Sequence, residues 1–107
     1  MANIAVLGAG SWGTALALQL ARNAHNITLW AHRREHAAAL GEARENRRYL
    51  PGIPLPPNLT VSDDLAASVA AAELILAVVP SRAFAGLLAD LKPHLRHAPL
   101  MWAIKGF

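Results

Sequence analysis

Short apolar runs punctuate the chain, with amphipathic or polar segments between them. Asn3 to Leu7 (NIAVL) is apolar and β-branched and runs straight into glycine, the pattern of a strand buried on both faces. Thr14 to Asn23 (TALALQLARN) sets Leu16 and Leu20 four apart among strong helix formers, and His25 and Asn26 end that helix. Ile27 to Trp30 (ITLW) reads as a second strand, and Arg34 to Glu45, alanine-rich with its charges on one side, as an amphipathic helix. Asn46 to Asn58 holds Pro51, Pro54, Pro56 and Pro57, which predicts an ordered or wrapping loop without regular structure. Leu59 to Val61 is a short third strand. Ser62 or Asp63 is placed to cap a helix through Ala72, with Asp63 and Asp64 at its positive end. Leu74 to Val79 (LILAVV) is the clearest strand. Ser81 then caps a helix whose Phe84, Leu87, Leu88, Leu91 and Leu95 follow the i, i+3, i+4, i+7 rule until Pro93 bends or ends it. Leu100 to Ile104 (LMWAI) makes a fifth strand.

Alternating strands and helices imply an α/β fold with a parallel sheet, because parallel strands need crossovers and those crossovers are right-handed. The expected strand order is 3-2-1-4-5, a doubly wound sheet with helices on both faces. With 107 residues and 11.4 kDa the chain suffices for one core. No helix follows the fifth strand to cover that flank, so the expectation is a sheet truncated after its fifth strand and belonging to a longer protein.

Gly8-Ala9-Gly10-Ser11-Trp12-Gly13 is a complete G-x-G-x-x-G, placed directly after the first strand and at the opening of the first helix. That is the placement of the Rossmann dinucleotide fingerprint. Gly8 makes the tight turn, Gly10 lets the backbone approach a pyrophosphate, and Gly13 lets helix and strand pack closely. The helix N-terminus presents its free N–H groups to the phosphates. Taking Ser11 as the serine of a nucleophile elbow fails, since the turn sits on the first strand with a dinucleotide glycine pattern. His32 and His36 stand four apart without a third ligand of suitable type and spacing, so they read as solvated histidines at a helix start and no metal site is expected. At the end of the second strand, where an NAD-selective site carries an acid, the chain reads Ala31-His32-Arg33-Arg34 with no acid before Glu35. Two guanidinium groups and an imidazole suit a 2′-phosphate, which points to NADP(H) with NAD(H) as the alternative.

Composition narrows the picture further. Hydrophobic residues make up 54% and charged residues 16%, and the mean hydropathy is +0.28, which excludes a disordered chain. Cysteine is absent, which excludes disulfide scaffolds, thiolate zinc sites and thiol catalysis. The longest apolar run, Leu74 to Val79, falls far short of the ~20 residues of a membrane span, and no signal-peptide pattern precedes the glycine turn. Net charge is +3, yet the basic residues are spread from Arg22 to Lys105, concentrating only at Arg33 and Arg34 and at Arg44, Arg47 and Arg48. They lack the interleaved aromatics suited to stacking bases, so no nucleic-acid partner is expected.

Four segments, Gly8 to Ala15 (GAGSWGTA), Asn46 to Leu59 (NRRYLPGIPLPPNL), Val78 to Phe84 (VVPSRAF) and Lys105-Gly106, together resemble the N-terminal domain of NAD(P)-dependent glycerol-3-phosphate dehydrogenases, most like the bacterial form. The resemblance implies reduction of dihydroxyacetone phosphate to sn-glycerol 3-phosphate with NADPH or NADH, at the head of phospholipid synthesis. It implies a cytoplasmic enzyme, homodimeric at full length, acting on a small phosphate substrate. It places Ser11 and Trp12 on the cofactor at the glycine turn, His32 and Arg33 at its adenosine end, Tyr49 near it, and Lys105 on both cofactor and substrate. A helical domain beyond Phe107 would supply most substrate contacts and the general-acid lysine, leaving residues 1–107 as the dinucleotide-binding domain, without a catalytic residue and inactive alone. Two alternatives stay open: a ketopantoate or hydroxyacid reductase with the same half-fold, and a nucleotide-binding module without chemistry.

Overall fold

Each apolar run becomes a strand, and the order of elements is β1 (Asn3–Leu7), α1 (Ser11–Arg22), β2 (Asn26–Trp30), α2 (Arg34–Ala43), β3 (Glu45–Asn46), β4 (Leu50–Pro54), β5 (Leu59–Ser62), α3 (Leu65–Ala70), β6 (Leu74–Ala77), α4 (Ser81–Leu91), a 3-10 turn (Lys92–His94) and β7 (Leu100–Trp102). This computed structural model describes residues 2–95 and 98–102. Strands β5, β2, β1, β6 and β7 lie side by side in that order, all parallel. Counting only these five, the order is the expected 3-2-1-4-5. The last residues of the predicted fifth strand lie outside the described residues.

Alternation along β1 assigns each side chain to a face. Ile4 and Val6 pack with Ala17, Leu18 and Ala21 of α1 and Leu40 of α2. Ala5 and Leu7 pack on the other side with Val69 of α3 and Leu87 and Leu91 of α4. Both faces are therefore covered, as a parallel sheet requires. Burying a side chain such as Leu7 fully is worth about 1.5–3 kcal/mol. The register aligns the carboxyl ends of three strands, with Leu7 opposite both Trp30 and Ala77. The segments leaving β1, β2 and β6 thus emerge together at one edge.

The proline-rich segment departs from the expected loop. Glu45 pairs with Pro54 and Asn46 with Leu50 in a small antiparallel hairpin, β3-β4. A two-stranded ribbon has two open edges, so a proline fits wherever the missing N–H would face outward. Gly52, at φ 86°, supplies the left-handed residue of the return, and its N–H donates to Glu45 Oε2 at 2.9 Å. Arg44, itself left-handed at φ 53°, ends α2 and donates from Nη2 to the carbonyls of Pro56 (2.7 Å) and Leu59 (2.8 Å). One member of the basic cluster is thereby committed to backbone carbonyls.

Three helix starts also differ from the sequence expectation. Helix α1 begins at Ser11 rather than Thr14. Asp64, not Ser62 or Asp63, caps α3 by accepting from the Ala67 N–H at 3.0 Å, while Asp63 pairs with Arg34. Ser81 is the first residue of α4, whose N-cap is Pro80, without a side-chain cap. No helix among the described residues is long and apolar enough to cross a membrane.

At the far edge, Met101 and Trp102 are 56% and 58% exposed, and Trp102 leans on Phe84 of α4 with ring centroids 5.2 Å apart. Large exposed apolar side chains on an edge strand favour association. The isolated 107-residue chain is expected to self-associate. A monodisperse monomer by light scattering at high concentration would show that the patch is inert.

Candidate functional site

The glycine turn sits at the aligned carboxyl edge of β1, β2 and β6, where open α/β sheets bind ligands. Its three glycines have separate physical reasons. Gly8 lies at φ 123°, and a Cβ there would overlap the Val78 carbonyl oxygen of the neighbouring segment. A Cβ on Gly13 would overlap the Gly8 carbonyl oxygen, so the first turn of α1 can approach β1 only without one. At Gly10 a Cβ would meet nothing within 4 Å. Two glycines therefore close the fold, and the middle one borders open space.

Helix α1 is left uncapped at that opening. Gly10 is its N-cap without a side-chain hydrogen bond, and no acidic residue occupies its first turn. Helices α2 and α4 also start without a side-chain cap, so what sets α1 apart is the glycine turn that opens it, with Gly10 bordering open space. An uncapped N-terminus facing open space is the physical arrangement that receives an anion. The residues fit a dinucleotide pyrophosphate.

Behind the turn lies a polar cluster. Asn46, 1% exposed, donates from Nδ2 to the Ala9 carbonyl (3.0 Å) and to Thr14 Oγ1 (2.8 Å), and its Oδ1 accepts from the Tyr49 N–H (3.1 Å). His36 Nε2 lies 2.8 Å from the same Ala9 carbonyl. A carbonyl oxygen only accepts, so Nε2 carries the hydrogen. The His36 ring meets Tyr49 edge-on at 5.3 Å, and the Arg48 guanidinium lies 5.2 Å from the Tyr49 ring centre.

A family model described as the N-terminus of NAD-dependent glycerol-3-phosphate dehydrogenase matches residues 3–107. The chain belongs to this family. Glycerol-3-phosphate dehydrogenase [NAD(P)+] of Pectobacterium atrosepticum is 49% identical over 106 residues, covering 98% of this chain and 31% of the relative. The crystal structure of glycerol-3-phosphate dehydrogenase from Coxiella burnetii superposes with a TM-score of 0.95 at 42% identity, over 99% of this chain and 33% of that one. The Saccharomyces cerevisiae enzyme gives 0.88 at 29% identity, over 98% of this chain and 34% of that one. The chain spans about a third of the length of the relatives it matches.

In this member of the family, hydrogen bonds tie His36, Asn46 and Tyr49 to the glycine turn, and the other candidate residues lie around that cluster or apart from it. Ser11 and Trp12 open α1, with Trp12 46% exposed beside the turn. His32 follows β2 and packs edge-on against Trp30 at 5.7 Å. Arg33 is the N-cap of α2 and lines a cleft of about 750 Å3 together with His36, Arg47 and Arg48. Tyr49, 42% exposed, is tied to the turn through Asn46. Arg34 stands apart, its Nε 3.2 Å from Asp63. Lys105 lies outside the described residues. His36 is half-buried and bonded to the turn rather than freely solvated. Among the described residues no three His, Cys, Asp or Glu side chains gather to hold a metal.

Sequence reading missed Asn46 and Arg44 as structural keys. Their partners lie 37 residues away in one case and are bare carbonyls in the other. Neither leaves a local periodic signal. For Asn46, the only hint was its place at the head of the family-like NRRYLPG segment.

Proposed function

We propose that this chain is the cofactor-binding part of an NAD(P)H-dependent glycerol-3-phosphate dehydrogenase that reduces dihydroxyacetone phosphate to sn-glycerol 3-phosphate and feeds phospholipid synthesis. The observation that carries the reading is the uncapped start of α1 against the open face of Gly10, together with membership of the family. In this reading the Gly10 turn holds the pyrophosphate, and Ser11 and Trp12 border it. His32 and Arg33 hold the adenosine end, Tyr49 lies near the cofactor, and Lys105 contacts cofactor and substrate. Arg33 bears on a 2′-phosphate, while Arg34 is paired with Asp63 and adds its charge from further off. A bound reduced nicotinamide supplies the hydride. The chain's own contribution is to bind and orient it at the carboxyl edge of the sheet. The resemblance extends the proposal to a cytoplasmic homodimer at full length, with the general acid outside residues 1–107.

The test is a steady-state assay of the full-length protein against a panel of keto substrates. Dihydroxyacetone phosphate is expected to be turned over with NADPH or NADH. Turnover of ketopantoate or a 2-keto acid in its place would refute the proposal.

A further inference from the structure

Resting on the reading of the glycine turn as a pyrophosphate site, we propose that His36 is a positioning residue that, with Asn46, sets the direction of the Gly10 N–H. The peptide joining Ala9 to Gly10 is trans and planar, so its carbonyl and its N–H point to opposite sides. Two donors, Asn46 Nδ2 at 3.0 Å and His36 Nε2 at 2.8 Å, hold the Ala9 carbonyl toward α2 and the hairpin. The Gly10 N–H is therefore aimed away from them, on a residue whose Cβ direction is open.

The two donors are not redundant. Asn46 is already committed through both its amide hydrogens, to Ala9 and to Thr14, and accepts from Tyr49. It fixes the hairpin to the turn. His36 adds the second bond to the carbonyl from α2, the helix that follows the adenosine-facing segment. Without His36 the Ala9 carbonyl keeps its bond to Asn46 but loses the one that anchors it to α2, so the peptide plane is free to pivot about Asn46. That rotation swings the Gly10 N–H off the phosphate. His36 thus acts on the pyrophosphate through a peptide plane.

The experiment compares the full-length protein with its His36→Leu and His36→Gln variants by titration calorimetry against NADPH, NADH and adenosine 2′-monophosphate, which lacks the pyrophosphate. His36 is only half-buried, so both variants are expected to fold, and a melting curve checks it. Loss of one orienting hydrogen bond should weaken both dinucleotides by about tenfold in His36→Leu. His36 also borders the cleft that holds Arg33, so the monophosphate is expected to weaken less than either dinucleotide. His36→Gln, which keeps an N–H donor at similar reach, should recover most of the affinity. Unchanged dinucleotide affinity in His36→Leu, equal weakening of the monophosphate, or no recovery with glutamine would each overturn the proposal. A wild-type protein that binds neither dinucleotide would instead overturn the reading of the turn, and with it this inference.

Discussion

Alanine at Gly8 or Gly13 is expected to cripple the fold, whereas valine at Gly10 is expected to spare the fold and weaken cofactor binding. At Gly8 a methyl group meets the Val78 carbonyl in a backbone conformation at φ 123°. At Gly13 it meets the Gly8 carbonyl, so α1 must lift off β1. Neither obstacle is a flexible side chain. Backbone strain and overpacking together should cost about 3 kcal/mol or more, a large share of the ~5–15 kcal/mol that holds a domain folded. A fall in Tm on the order of 10 °C should follow. At Gly10 a side chain has room while the site is empty, and it fills the space the pyrophosphate takes. Circular dichroism and Tm of Gly10→Val should therefore stay near native, with cofactor affinity down about tenfold or more. The reverse pattern, a destabilised Gly10→Val beside a stable Gly8→Ala, would mean that the glycines play other roles.

Arg33→Asp should abolish the preference for NADPH and leave NADH binding in place. Arg33 follows β2 and lines a cleft along α2 and the hairpin with Arg47 and Arg48; the other charged residues of that cleft are Glu35, Glu42 and Glu45. Charge-assisted hydrogen bonds to a 2′-phosphate are worth about 1.5–3 kcal/mol, so the native protein should favour NADPH by roughly one to two decades. Aspartate repels the phosphate and offers the ribose hydroxyl an acceptor. The native preference should shrink with added salt, because Arg33 is exposed and its contacts are screened. Quenching of Trp12 fluorescence, from a half-exposed indole next to the turn, gives the readout. Equal losses for both cofactors would show that Arg33 serves the fold or the shared pyrophosphate.

The sheet was legible because its information is local and periodic. NIAVL, ITLW and LILAVV are each packed on both faces, and such runs between helical segments leave few topologies. The glycine turn was legible because its spacing meets two steric needs of the fold, at Gly8 and Gly13, and leaves Gly10 open between them, all within six residues. The hairpin was not. Its prolines argue locally against a ladder, and only the pairing of Glu45 with Pro54 shows that a two-stranded ribbon tolerates them. Arg34 looked like the twin of Arg33 because the two are adjacent. Helix geometry sends one toward the cleft and the other toward Asp63.

The wildcard positions of G-x-G-x-x-G are less free than the notation suggests. Ala9 fills the first of them, yet its methyl lies in the core with Val6 and Leu40, and its carbonyl carries both Asn46 and His36. A larger side chain there must displace the packing beneath or tilt the peptide above. The identity of this one residue is therefore chosen from below, by the interior of the sheet, although its effect is felt outside, where the main chain meets a ligand. A motif that specifies only the glycines accepts chains whose turn has the right spacing and no means of being held at the right angle.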